Sequence, residues 1–181
     1  EGDIAFLLSS DVFTSEEQKQ LLTPKPGYKY GYVPPLATGH PVIVLKRLSP
    51  ESQYILVTPI SAYSWGKENK FDPPWEQLAH RWKAPSDFRS FFPCQRYQGA
   101  NASDGGIPRA HEYLYLEGNK RMPKRNASWL HIQSVYVVPL TVMGHFTKSR
   151  ELLRVDKESF NTLREHMAKD CKAWKESLSR L

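Results

Sequence analysis

The side chains that could do chemistry here are scattered along the chain and form no compact motif. His40 stands between Gly39 and Pro41 where a loop gives way to an apolar run, and Ser61 follows Pro59-Ile60 at the end of a second run. His131 and Gln133 lie two residues apart in a third, a spacing that puts both on one face of a strand. An imidazole, with an ordinary pKa of about 6.5, can take or give a proton near neutral pH. A hydroxyl at a strand end bonds the turn beside it or holds an anion, and a glutamine most simply satisfies backbone groups. Lys120, Arg121, Lys124 and Arg125 form the densest basic run, and Lys46-Arg47 close the apolar run that follows His40. Such runs are solvated loops in most settings, yet beside an open face they supply phosphate contacts. Tyr28, Tyr30 and Tyr32 alternate, so in extended backbone all three rings share a side and either pack on the fold or stack on bases.

Missing motifs narrow the chemistry. There is no Gly-x-x-x-x-Gly-Lys-Ser/Thr cradle and no Gly-x-Ser-x-Gly elbow, which removes P-loop nucleotide hydrolysis and serine-esterase chemistry. The six histidines and two cysteines lack the paired close spacings of zinc sites, and no metal or cofactor is expected. Cys94 and Cys171 could bridge once but read as free thiols. His111 and His145 belong to no pattern.

The 181 residues suit a single domain with a core of its own, without staples. At 40% hydrophobic and 12% aromatic the chain is globular, and 14 Pro with 10 Gly call for many turns and irregular connections. A net charge of +6 and a pI near 9.3 suit an anionic partner such as RNA. No apolar run reaches the roughly 18 residues of a membrane span, so no membrane partner is expected. The sequence opens on Glu1 rather than Met, which reads as a trimmed or processed chain. An intracellular setting is favoured, although the sequons at Asn101 and Asn126 leave secretion open.

The positioning elements follow from periodicity. Ile4 to Leu8 reads as a strand, and Thr14-Ser15-Glu16-Glu17 offers an N-cap and acidic first turn for a short helix over Glu16 to Leu22. Pro41–Lys46 and Tyr54–Ile60 make a hairpin whose unbroken apolar runs require cover on both faces. Pro59 cannot donate to a ladder, so its strand must meet an edge or a bulge near Ser61. The stretch 62–110 is rich in Pro and aromatics and should fold back as a lid or buttress, with short helices at Trp75–Trp82 and Ser86–Phe91. His111–Leu116 alternates like a strand, Glu117-Gly118-Asn119 turns, and Trp129–Leu140 reads as strand, with shorter strands at Met143–Phe146 and Leu152–Val155. Asp156 caps a helix in which Phe160, Leu163, Met167, Cys171, Trp174 and Leu178 recur at steps of three and four, roughly 36 Å long if unbroken.

Four of these pieces resemble, in order, the MazF/PemK/Kid toxins, a family of small-barrel, metal-independent endoribonucleases. Gly2-Asp3-Ile4 matches the family's first strand, Gly39-His40-Pro41-Val42-Ile43-Val44-Leu45 its Gly-x-Arg-Pro strand, and Val57-Thr58-Pro59-Ile60-Ser61 the strand ending in Pro/Ala-Ile-Thr. Ser128-Trp129-Leu130-His131-Ile132-Gln133-Ser134-Val135 is similar to the Ser-x-x-x-x-x-Gln-Ile-Arg strand, and Val155–Phe160 to the start of the closing helix. The match spans about half of the chain. The loop before Gly39 and the stretch Trp65–Arg125 have no counterpart in the compact toxins, as in an expanded eukaryotic-type member.

The resemblance implies a mainly β (α+β) fold: one SH3-like, PemK-like β-barrel over 1–181, with a long irregular insert at about 62–125 and a C-terminal helix at about 157–180. It implies binding of single-stranded RNA, with cleavage by attack of the 2′-hydroxyl and no cofactor. His40 falls at the family's catalytic Arg and Ser61 at its Thr, so the imidazole becomes the acid or base and the hydroxyl holds phosphate. Lys46, Arg47, Lys120, Arg121, Lys124, Arg125 and Gln133 are the RNA-binding candidates, while the Arg of the later pattern is Val135. Family members pair as dimers, so a homodimer or another protein partner is expected. The alternative is a catalytically inactive barrel acting as a protein-interaction module.

Overall fold

Short runs of aliphatic and β-branched residues build the frame. The computed structural model describes residues 1–24, 32–61, 91–95, 114–123 and 128–178. They hold seven strands: β1 (Ile4–Leu7), β2 (His40–Arg47), β3 (Tyr54–Ser61), β4 (Phe91–Gln95), β5 (Ser128–His131), β6 (Tyr136–Pro139) and β7 (Met143–Gly144). All pairings are antiparallel, in the order β4-β5-β3-β2-β1-β7, with β6 also on β3. Three helices join them: α1 (Ser15–Leu21), α2 (Lys157–Asp170) and α3 (Lys172–Leu178). The chain is thus mixed α+β with an antiparallel sheet at its centre. No helix among the described residues is long and apolar enough to cross a membrane.

The continuous apolar runs of the hairpin have the double cover they require. Ile43 and Leu45 of β2 and Leu56 and Ile60 of β3 enter one cluster, with Leu163 and Met167 of α2 and Trp174 of α3. Val42 of β2 and Ile55 and Val57 of β3 enter the other, with Leu7, Phe13, Leu21 and Val138. Alternate side chains of each strand point to opposite faces, so one strand feeds both cores. Burying a side chain such as Leu163 or Met167, both 0% exposed, contributes about 1.5–3 kcal/mol.

Pro59 sits where β3 changes partners. Along the edge away from β2, β6 pairs with Tyr54 to Val57 and β5 with Ile60 and Ser61, so neither ladder needs an N–H from Pro59. The run Trp129–Leu140 is therefore two strands rather than one. Turn residues Ile132 and Gln133 separate β5 from β6, closed by the Ser134 N–H donating to the His131 carbonyl at 2.8 Å. A 3-10 turn, Leu140–Val142, then carries the chain from β6 on β3 to β7 on β1.

The helix ends show what fixes them. Thr14 and Glu17 form a reciprocal capping box on α1, and Asp156 accepts the Ser159 N–H at 2.7 Å to start α2. The expected single C-terminal helix breaks at Cys171, whose backbone is extended (φ −99°, ψ 110°). The Gln133 side chain donates to the Asp170 carbonyl at 2.7 Å, and the Trp174 N–H donates to the buried Cys171 Sγ at 3.3 Å. The break turns Ala173, which lies off the predicted stripe, fully into the core beside Trp174. Cys171 is a free thiol, and burial pushes its pKa up.

Other expectations shift at the margins. Leu152–Val155 forms only isolated bridges, Asp3 with Arg154 and Leu116 with Val155. The strand at Met143 ends at Gly144, and Phe91, expected to end a helix, opens β4. The helix proposed at Trp75–Trp82, Tyr28 and Tyr30, His111, and most of the stretch 62–110 lie outside the described residues.

Candidate nucleic-acid interface

A bulge sets the register of the hairpin that ends toward His40 and Ser61. At the turn end of the hairpin, Arg47 pairs with Ile55 and Lys46 with Leu56; after Leu45 the register shifts by one, and Val44 pairs with Val57 through to Val42 with Pro59. The ladder ends at Val42 and Pro59, and β3 then passes to β5, with Ser61 opposite Trp129; carried two residues further, the same register would set His40 opposite Ser61. Without the extra residue His40 would face position 62 and Ser61 would face Pro41, with the alternation inverted. Directly opposed residues have Cβ atoms roughly 5 Å apart, so an imidazole and a hydroxyl there can reach one phosphate group. Parity puts both on the face of Val42 and Val57.

The backbone around His40 is firmly held. Gly39 takes φ +72°, a left-handed conformation open to glycine, and its N–H donates to the Leu7 carbonyl at 3.0 Å. His40 itself pairs with Leu7 of β1. Both His40 and Ser61 are half-buried, and both take part in interactions. The neighbouring segment folds over the same rim, where the Ser10 N–H donates to Thr38 Oγ1 at 3.1 Å. It brings in Asp11, whose carboxyl is held below its ordinary pKa chiefly by the Ser9 hydroxyl. That rim therefore carries an anion.

The other predicted site residues lie elsewhere. Lys46 and Arg47 are at the far end of β2, about 20 Å along the strand from His40, and the Arg47 Nε donates to the Ser52 carbonyl at 3.2 Å across the hairpin turn. Gln133 is committed to the end of α2, as described above, and the His131 Nδ1 lies 3.1 Å from Ser134 Oγ. Lys124 and Arg125 fall outside the described residues.

Lys120 and Arg121 line a separate cleft of about 360 Å³, together with Pro123, Lys148, Ser149, Arg150, Glu151 and Leu153. Leu153 accepts the Ile4 N–H at 2.8 Å, so the cleft adjoins the start of β1, whereas His40 adjoins its end. Lys148 and Arg150 were not singled out from sequence. The available signal was a short basic turn, Thr147-Lys148-Ser149-Arg150, held between the apolar anchors Phe146 and Leu153.

Comparison with family models, with curated proteins and with solved structures gives no match in any of the three. The chemistry must therefore be argued from the geometry. One end of β1 adjoins the imidazole of His40 beside an acidic rim, and the other end adjoins a cationic cleft.

Proposed function

We propose that this chain is a PemK-like protein that binds single-stranded RNA and cleaves it without a metal, with His40 and Ser61 as the reacting pair. The observation that carries the reading is the bulge-set register of the hairpin, which would face His40 with Ser61 if carried two residues beyond Val42 and Pro59. The order of pairings also supports an SH3-like barrel: β1 with β2, β2 with β3, β3 with β6, and β6 running through a 3-10 turn into β7, which returns to β1. In this mechanism the imidazole takes the proton of a ribose 2′-hydroxyl as that oxygen bonds to the adjacent phosphorus. The bond from phosphorus to the 5′-oxygen breaks, leaving a 2′,3′-cyclic phosphate; the leaving oxygen takes a proton from water, and the imidazolium returns its own to the solvent. The Ser61 hydroxyl donates to a non-bridging phosphate oxygen. An arginine would add a permanent charge and a two-pronged contact that imidazole lacks, so turnover should be slow.

A second reading, a barrel serving as a protein-interaction module, is favoured by one feature. The described cations of the candidate set lie away from the His40 rim, and Asp11 lies on it. A single assay separates the two. Labelled single-stranded RNA is incubated with the protein in EDTA, and cleavage should be seen that His40→Ala abolishes and Ser61→Ala weakens, with circular dichroism unchanged. Intact RNA with the wild-type protein, or undiminished cleavage by His40→Ala, would refute the catalytic reading.

A further inference from the structure

The cleft at the start of β1 is built rather than incidental. Met122, 7% exposed, is buried between Arg121 and Pro123 and pins one wall. Phe146, stacked on Phe6 at 6.2 Å, and Leu153 pin the other. Between them the turn is closed by the Ser149 N–H donating to the Phe146 carbonyl and by the Glu151 N–H donating to Ser149 Oγ, which holds Lys148 and Arg150 on one short arc.

Four cations and one carboxylate line this space, and their roles divide. Lys120 is spoken for: its Nζ donates to the Leu152 carbonyl and pairs with Glu151, both at 3.1 Å. The only acid in the lining is thereby neutralised. Arg121, Lys148 and Arg150 are all exposed and have no ion-pair or hydrogen-bond partner among the described residues. Elsewhere Arg154 and Arg164 have found Asp3 and Glu1. Three unspent cations on a rigid concave wall call for a polyanion, because like charges brought together repel until counter-charge arrives.

The flanks indicate which polyanion. Tyr115, 62% exposed, and Leu152, 75% exposed, sit on the bridged segments Leu114–Glu117 and Leu152–Val155 that border the cleft. The Asp156 N–H donates to the Tyr115 carbonyl, which puts the backbone of Tyr115 roughly 10 Å along extended chain from Leu153. Cations that follow a backbone, with an exposed ring beside them, are what unpaired bases and their phosphates require. An acidic protein segment has no use for the ring.

We propose that this cleft is an anchoring site for the phosphate backbone of single-stranded nucleic acid, gripped by Arg121, Lys148 and Arg150, with Tyr115 stacking on a neighbouring base. The identity of the ligand rests on the RNA reading above; the site does not depend on cleavage. It lies at the opposite end of β1 from His40, so it holds the strand without touching the reacting atoms.

Fluorescence anisotropy of a labelled single-stranded RNA over a salt series tests the proposal. Changing Arg121, Lys148 and Arg150 together to Gln should lower the slope of log affinity against log salt by about 2, since each phosphate contact on a single strand contributes about 0.7. Lys120 is left in place because it holds the turn. A charge-matched control, Lys19→Gln with Lys169→Gln and Lys172→Gln on the helices, should keep most of the wild-type slope. Tyr115→Ala should lose roughly tenfold in affinity at unchanged slope. RNA binding that persists in the cleft variant with wild-type slope overturns the proposal while leaving the RNA reading standing. Binding that disappears with the cleft, in a protein that cleaves nothing, upholds it and removes the catalytic reading. A wild-type protein that binds inorganic diphosphate but no RNA overturns both.

Discussion

Thr58 carries one of the buried polar groups that the described residues leave without a hydrogen bond. It is 0% exposed, and its Oγ1 has no hydrogen-bond partner among the described residues. Paired with Ile43, it projects to the helix-covered face, opposite the one shared by His40 and Ser61. A buried hydroxyl without a partner carries an uncompensated desolvation cost. Thr58→Val should therefore stabilise the protein by about 1 kcal/mol, seen as a higher urea midpoint with unchanged slope. A drop in stability would mean that the hydroxyl is satisfied. RNA cleavage, if it takes place at Ser61, should be unaffected by the change.

Among the elements, α1 is tied to the turn between β6 and β7 through one carboxylate. Glu17 accepts from Thr141 Oγ1 at 2.6 Å, in the 3-10 turn between β6 and β7, and from the Thr14 N–H and hydroxyl at 2.8 and 2.9 Å. The Thr141 bond first, then the two from Thr14, hold its carboxyl below the ordinary value of 4.5. The folded state thus binds that proton more weakly than the unfolded chain does. The stabilisation is complete above pH 4.5 and is lost as the pH falls through the lower folded value. Glu17→Gln should flatten the loss of thermal stability on acidification, measured as melting temperature against pH above and below 4.5. An acid limb identical to that of the wild type would show that the bond to Thr141 contributes nothing.

How far these elements could be read in advance depends on what fixes each one. Asp156 caps as its sequence neighbours predict, and the cap of α1 falls within the expected run Thr14 to Glu17, at Thr14, because a cap is local. The double cover of the hairpin was legible in Val42–Leu45 and Ile55–Val57, since burial on both faces erases alternation. The break at Cys171 was not: the stripe from Phe160 to Leu178 keeps its step of three and four across the break, and the partner that ends α2 is Gln133, 37 residues away. The bulge at Leu45 was equally hidden, although it decides which residues face each other from Val44 and Val57 to Val42 and Pro59. Lys148 and Arg150 join Lys120 and Arg121 only through the tertiary course of the turn, which no local pattern records.

At the scale of the whole molecule, the two cores share their walls. Leu163→Ala in the helix-side cluster should cost about 2–5 kcal/mol, because the side chain is fully enclosed by neighbours that cannot collapse onto the gap. The same change should lower the melting point reported by α1, which packs only on the other cluster through Leu21, as much as that reported by Trp174. Site-specific probes on the two sides, such as resolved amide signals followed through a thermal ramp, check this; separate midpoints would contradict it.

The reason lies in β3, which gives Leu56 and Ile60 to one side and Ile55 and Val57 to the other. A strand threaded between two interiors acts as a common spine, so neither half can melt while its neighbour stays intact. A change in that spine would be felt at once by the helix cover, the opposite layer and the residue at its tip, Ser61.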